Sequence, residues 1–146
     1  MRLRRVDIDR VIGYLDGSMY HWSMVGLHSG HIAQLSVEEL HDMVKGDERI
    51  RLVDVRAPAE YESSHIEHTI NIPAQELKTR YMELDPEIPA VLICSPGHRP
   101  SLGCSILKRD EFTKLFHTAG GMSGYSAAGY GVECTICSIP PGPNLL

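Results

Sequence analysis

The run PAVLIC, Pro89 to Cys94, constrains the fold more than any other stretch of this chain. Its apolar residues follow one another without polar alternation. A strand with one wet face would alternate, so this one is read as buried on both faces. Its surroundings support that reading. RIRLVDVR (Arg49 to Arg56), TINIP (Thr69 to Pro73) and KLFHTA (Lys114 to Ala119) are short and rich in β-branched or aliphatic residues. Helical patterns separate them: SVEELHDMVK, PAEYESSHI, AQELKTRYMEL, PSLGCSILKRDE and MSGYSAAGY. The first of these opens with Ser36 and carries Glu39 three residues later, a capping-box signature, with Val37, Leu40 and Val44 on one stripe. Strands alternating with helices give an α/β fold, here an open parallel sheet of about five strands with helices on both faces. Pro73 and Pro89 fall at strand ends, where the sheet tolerates a missing N–H.

A chain of 146 residues is enough for one domain with a full core. The 14 Lys and Arg against 19 Asp and Glu leave a formal charge of -5, which argues against a nucleic-acid partner. The one basic cluster, Arg2, Arg4 and Arg5, is soon answered by Asp7 and Asp9 and reads as a solvated end. No apolar run approaches the ~20 residues that span a bilayer, and no signal-peptide core opens the chain. The expectation is a cytoplasmic protein with no membrane partner. Four cysteines are few for a disulfide scaffold, so their reactivity is the more useful question.

LDGSMYHWSMVGL (Leu15 to Leu27) aligns without a gap on TAGGMSGYSAAGY (Thr118 to Tyr130). Gly17, Met19, Trp22, Ser23 and Gly26 fall on Gly120, Met122, Tyr125, Ser126 and Gly129, an offset of 122 − 19 = 103 residues. That is about one domain length. Residues 1–30 are therefore read as the C-terminal strand and helix of a preceding copy, residues 31–133 as a complete domain, and 134–146 as a Pro-rich tail. One strand and one helix are too little to fold alone; such an unpaired piece favours self-association.

Cys94 sits where the buried strand ends and a helix begins, the place where open α/β sheets bind ligands. A free thiol has a pKa near 8.5, so little of it is thiolate at neutral pH. A helix N-terminus gives an exposed anion only about 0.3–1 kcal/mol, less than the ~1.4 kcal/mol of one pKa unit. The loop must supply the rest. Backbone N–H groups from Ser95 to Arg99 can form an anion-holding cup, Gly97 lets the backbone turn freely, and Arg99 and His98 can add positive charge. Pro96 lies within the cup and has no N–H to give.

CSPGHR followed by a helix resembles the active-site loop of the rhodanese family of sulfurtransferases. LVDVRAPAEYESSHIEHTINIP and TAGGMSGYSAAGY are similar to that family's Asp-Val-Arg strand, Glu-Tyr helix, His-Ile turn, Asn-Ile-Pro strand and closing Gly-Gly helix. The resemblance covers roughly Gln34 to Tyr130. It implies that Cys94 is catalytic, that Ser95, Pro96, Gly97, His98 and Arg99 form the substrate-binding loop, and that no metal or cofactor is needed. A small sulfur donor such as thiosulfate or a persulfide would load Cys94, and a thiol acceptor or cyanide would unload it. The repeat resembles proteins in which a metallo-hydrolase of the persulfide dioxygenase type precedes two such domains. Two departures stand out: Ser64 replaces a usual Gly before the His-Ile pair, and Pro96 lies inside the loop with Pro100 just after it. They leave open an alternative, a weak or inactive binding module on the same fold. A Cys-phosphatase or arsenate reductase is a distant third; against a phosphatase, Ile93 rather than His precedes the Cys and the loop is one residue short.

Other candidates read more plainly. Asp54 and Arg56 are expected to tie the strand end to the next helix, with a pair involving Glu60. His65 and His68 have no partner ligands in register for a metal, so His65 is given a turn-stabilising role. His41 reads as a core-edge histidine and Cys104 as structural filler. CTIC, Cys134 to Cys137, reads as an incidental or weakly redox-capable tail pair.

Overall fold

The computed structural model describes residues 16–46, 49–95 and 99–134. The basic cluster, the strand expected ahead of residue 16, Pro96 to His98, and the tail from residue 135 lie outside these residues. The chain divides into two compact units, residues 1–31 and 32–146. In the first, helix α1 spans Ser18–Met24.

The second unit follows the alternation read from sequence. Its elements are β1 (Ala33–Leu35), α2 (Val37–Lys45), β2 (Arg51–Asp54), α3 (Pro58–Ser63), β3 (Ile70–Asn71), α4 (Leu77–Arg80), β4 (Ala90–Ile93), α5 (Arg99–Arg109), β5 (Leu115–Thr118) and α6 (Gly121–Ala127). The five strands form one sheet in the order β1-β5-β4-β2-β3, with every described pairing parallel. The expected open parallel sheet is therefore present. TINIP contributes only two strand residues, and β1 is a strand that no apolar run announced. AQELKTRYMEL breaks after one turn of α-helix into a 3₁₀ turn at Tyr81–Glu83.

Burial explains why β4 reads as a continuous apolar run: all four of its residues are buried. Leu92 and Cys94 face one core with Val53, Val55, Leu77 of α4, and Cys104 and Leu107 of α5. Val91 and Ile93 face a second core with Leu40 of α2 and Met122 and Tyr125 of α6. The sheet is thus covered on both sides, and β4 lies at its centre. The capping box at α2 is complete: Glu39 N donates to Ser36 Oγ at 3.1 Å, and Ser36 N donates to Glu39 Oε2 at 2.8 Å. No helix among the described residues is long and apolar enough to cross a membrane.

Candidate active site

Cys94 is the first residue after β4, and its alternation along the strand turns it toward α5. It is 0% exposed. It nonetheless borders a cavity of about 200 Å³, lined also by Ser95, Pro100 and Ser101 on one side and by Gln34, His117 and Gly121 on the other. Parallel pairing creates this arrangement. Gln34 of β1 is in register with His117 of β5, and β5 lies beside β4, so the carboxyl ends of three strands converge there. The Oγ1 of Thr118, another lining residue, is buried and has no hydrogen-bond partner among the described residues. Gln34, His117 and Thr118 did not emerge from the sequence, because only the strand order brings them to the cysteine.

The electrostatics at Cys94 pull in two directions. Burial pushes its thiol up from the ordinary value; Arg99 opposes that rise, and Glu60 and Asp54 add to it. Arg99 itself is held by Glu60, with Nη1 to Oε2 at 2.9 Å and Nη2 to Oε1 at 3.3 Å. This pair keeps the Glu60 carboxyl below its usual range and the Arg99 guanidinium above its own. Glu60 has further partners: Ala57 N donates to its Oε2 at 3.2 Å and Ser95 Oγ to its Oε1 at 3.4 Å. One carboxylate thus joins the start of α3, the residue after the cysteine, and the start of α5.

The expected links at the end of β2 need one correction. Arg56 makes a buried pair with Asp54, Nε to Oδ2 at 2.9 Å and Nη2 to Oδ2 at 2.6 Å, and its Nη2 also donates to the Ser64 carbonyl at 2.6 Å. Glu60 makes its hydrogen-bonded pair with Arg99, and Arg56 acts on it only through its charge. The reason is reach: α3 carries Glu60 toward the β4 loop, while Arg56 folds back on its own strand. Asn71, which the sequence did not single out, closes the corner by donating to the Asp54 and Arg56 carbonyls at 3.0 and 3.1 Å.

His65 stabilises a turn. Its Nδ1 donates to the Tyr61 carbonyl at 2.9 Å, its ring stacks on Tyr61 at 4.0 Å, and its backbone bridges to Glu133. His68 is exposed and pairs with Glu67 at 3.2 Å. His41 sits at the core edge, stacked on Tyr130 at 3.9 Å and 3.0 Å from the Tyr125 hydroxyl. Cys104 is core filler: buried, its thiol pushed up to about 12 by that burial. Cys134 is disulfide-bonded, and Cys137 lies outside the described residues, as do Pro96, Gly97 and His98.

The wall behind Cys94 is backbone. Met122 N at the start of α6 donates to the Cys94 carbonyl at 2.8 Å. A Cβ on Gly121 would stand 1.8 Å from that carbonyl oxygen, and Gly121 has φ of +53°. Glycine is required there both for the conformation and for the close approach. The Gly-Gly pair in the sequence was the available signal.

The Rhodanese-like domain family model matches residues 36–128. The chain is 29% identical over 99 residues to the "Putative sulfur carrier protein YrkF" of Bacillus subtilis (strain 168), covering 68% of this chain and 54% of the relative. It therefore spans about half the length of that protein. A "Sulfurtransferase" of Allochromatium vinosum is 24% identical, over 67% of this chain and 92% of the relative. Among solved structures, the thiosulfate sulfurtransferase from Pseudomonas aeruginosa superposes with a TM-score of 0.64 at 26% identity, covering 72% of this chain and 21% of that one. The loop after β4, the Asp54–Arg56 corner and the closing helix α6 all lie inside the matched span, and the chain belongs to the rhodanese-like domain family.

Proposed function

We propose that this chain is a sulfurtransferase or sulfane-sulfur carrier whose Cys94 holds the sulfur in transit. One observation carries the reading: the cysteine ends the central parallel strand, directly ahead of α5, and borders a cavity large enough for a small anion. The names of the Bacillus and Allochromatium relatives support it. Thiosulfate or a persulfide is the donor class. The Cys94 thiolate attacks the sulfane sulfur of thiosulfate, the S–S bond of the donor breaks, and sulfite leaves with its electron pair. The product is Cys94–S–S⁻. A thiolate acceptor then attacks the terminal sulfur, forming its own persulfide and returning Cys94 as thiolate; cyanide would leave as thiocyanate.

The chain's own groups do three things in this scheme. Arg99 offsets the burial that disfavours the Cys94 thiolate, and it offers a fork-shaped donor to an incoming anion. Glu60 restrains Arg99 and keeps the two helix starts together. Ser95, next to the cysteine, lines the same cavity.

Mass spectrometry after exposure to thiosulfate or a low-molecular-weight persulfide tests the reading. The expected result is a gain of one sulfur atom that a thiol acceptor removes. A folded protein that gains no sulfur from either donor would sink it and leave the fold as a binding module.

A further inference from the structure

Residues 17–28 raise a separate question, independent of the chemistry at Cys94. Their sequence match to residues 120–131 extends to the backbone. Gly17 and Ser18 have φ of 77° and 62°; Gly120 and Gly121 have 73° and 53°. Gly26 and Gly129 have 73° and 79°. A positive φ at a non-glycine residue such as Ser18 is uncommon, so its recurrence at the same place is informative. The hydrogen bonds repeat at the same offset. Gly26 N donates to Ser23 O, and Gly129 N to Ser126 O, each at 3.0 Å; Leu27 N donates to Trp22 O at 3.3 Å, and Tyr130 N to Tyr125 O at 3.4 Å. Both helices are seven residues long.

The two helices differ in what covers them. Met122 and Tyr125 of α6 are buried against Leu40, Leu52, Ile66, Val91 and Ile93. Of their counterparts, Met19 is 55% exposed and Trp22 half-buried, and Met24, Val25 and Leu27 beyond them are exposed. No residue of α1 is buried. A cluster of exposed apolar side chains on one short segment marks an interaction surface.

The glycines of α6 show which partner fits. Ser18 stands where Gly121 stands, and a Cβ at Gly121 would come within 1.8 Å of the Cys94 carbonyl oxygen. His21 stands where Gly124 stands, and a Cβ there would lie 3.2 Å from Val37 Cγ1, so that side chain would have to give way even before an imidazole is added. A second copy of this chain therefore cannot seat α1 in the place of α6. We infer that residues 17–28 are the closing helix of a second rhodanese-fold core, different in sequence from residues 32–134 and lacking a closing helix of its own. That core docks on the face formed by Met19 and Trp22. Its cysteine-loop backbone stands further off than the one here, and it carries a smaller side chain than Val37 opposite His21.

The test is a graft in the full chain. Residues 17–28 replace residues 120–131, with Trp22→Phe at the original position so that the graft holds the sole tryptophan. One graft keeps Ser18 and His21; a second carries Ser18→Gly and His21→Gly within the grafted segment. Each is also made with Trp22→Tyr in the graft, which removes indole size as a variable. The two-glycine grafts are expected to unfold cooperatively, with blue-shifted emission in the tryptophan form, and the unaltered grafts to lose cooperative unfolding. Failure of both two-glycine grafts would show that the segment is no closing helix. An unaltered graft that folds would make this chain's own core an acceptable seat and overturn the choice of partner. A second measurement uses the native protein. Light scattering is expected to give a monomer, and a dimer whose formation blue-shifts the Trp22 emission would overturn the inference.

Discussion

Cys94 and Cys104 sit in one hydrophobic core, each 0% exposed, yet the two thiols have different surroundings. Cys104 lies within α5, its Sγ 3.5 Å from the Phe116 carbonyl, and burial alone dominates its ionisation. Cys94 ends a strand, borders a cavity, and feels Arg99, Glu60, Asp54 and Arg56 as well as burial. Burial therefore does not separate the thiol proposed to carry sulfur from the one packed as filler. What separates them is the set of charges and the open space that a strand end collects and a mid-helix position does not.

The largest effect expected breaks the comparison outright. Cys94→Ser should abolish sulfur loading, while Cys104→Ala should leave loading intact and cost about 1 kcal/mol of stability, as small cavities in packed cores do. Loading followed by mass spectrometry, beside a denaturant melt, checks both halves. If Cys104→Ala lost the sulfur and Cys94→Ser kept it, the assignment of roles would be reversed.

Next comes Gly121→Ala, which attacks the wall behind Cys94. The methyl would meet a backbone oxygen at 1.8 Å, and the residue would hold a left-handed φ. Strain and displacement together should cost on the order of 2–4 kcal/mol, lowering the thermal midpoint by roughly 10 °C or more. Gly120→Ala is the control: its Cβ meets nothing closer than 3.4 Å, so only the φ of +73° is penalised, at about 1 kcal/mol. Equal losses from the two variants would mean that the close approach to Cys94 carries no weight.

These two predictions mark where sequence reading succeeds and where it stops. Cys94 was legible because its signal is local: an apolar run, a glycine, an arginine and a helix start within a few residues. The Ser36–Glu39 capping box was legible for the same reason, since all its partners lie within one turn. Strand β1 was not, because three residues are too few to show a period. Glu60 and Arg99 are 39 residues apart, and their pairing depends on where α3 and α5 begin around the sheet. The cavity wall from β1 and β5 required the strand order, in which the first and last strands become neighbours. Local chemistry is written in the chain, whereas assembled chemistry is written in the topology.

Arg99→Ala sharpens the comparison by making Cys94 more like Cys104. Removing the cation disfavours the thiolate, so the pH profile of loading should move to the alkaline side. At neutral pH the rate should fall about tenfold, the lower end expected of an opposite charge near a partly screened site. Arg99→Lys should recover part of the loss and not all, because an ammonium keeps the charge without the fork. A profile that stays in place while the rate drops would assign Arg99 to donor binding alone.

The smallest effect expected runs the other way. Glu60 raises the Cys94 thiol and also occupies the guanidinium that would lower it, so neutralising this carboxylate acts twice in one direction. Glu60→Gln keeps an oxygen for the Ala57 N–H, which preserves the start of α3. It also loses an ion pair whose side chains are 43% and 36% exposed, and such pairs contribute only about 0.2–1 kcal/mol. The protein should therefore stay folded while its loading profile moves to the acid side, with a gain of roughly two- to threefold below neutral pH from so modest a charge change. Comparing that shift with the one from Arg99→Ala decides what the pair is for. Opposite shifts mean that Glu60 tempers the thiol through its charge and through Arg99. An alkaline shift in both variants would mean that Glu60 matters because it holds Arg99 in place, and that without this anchor the guanidinium drifts from the sulfur.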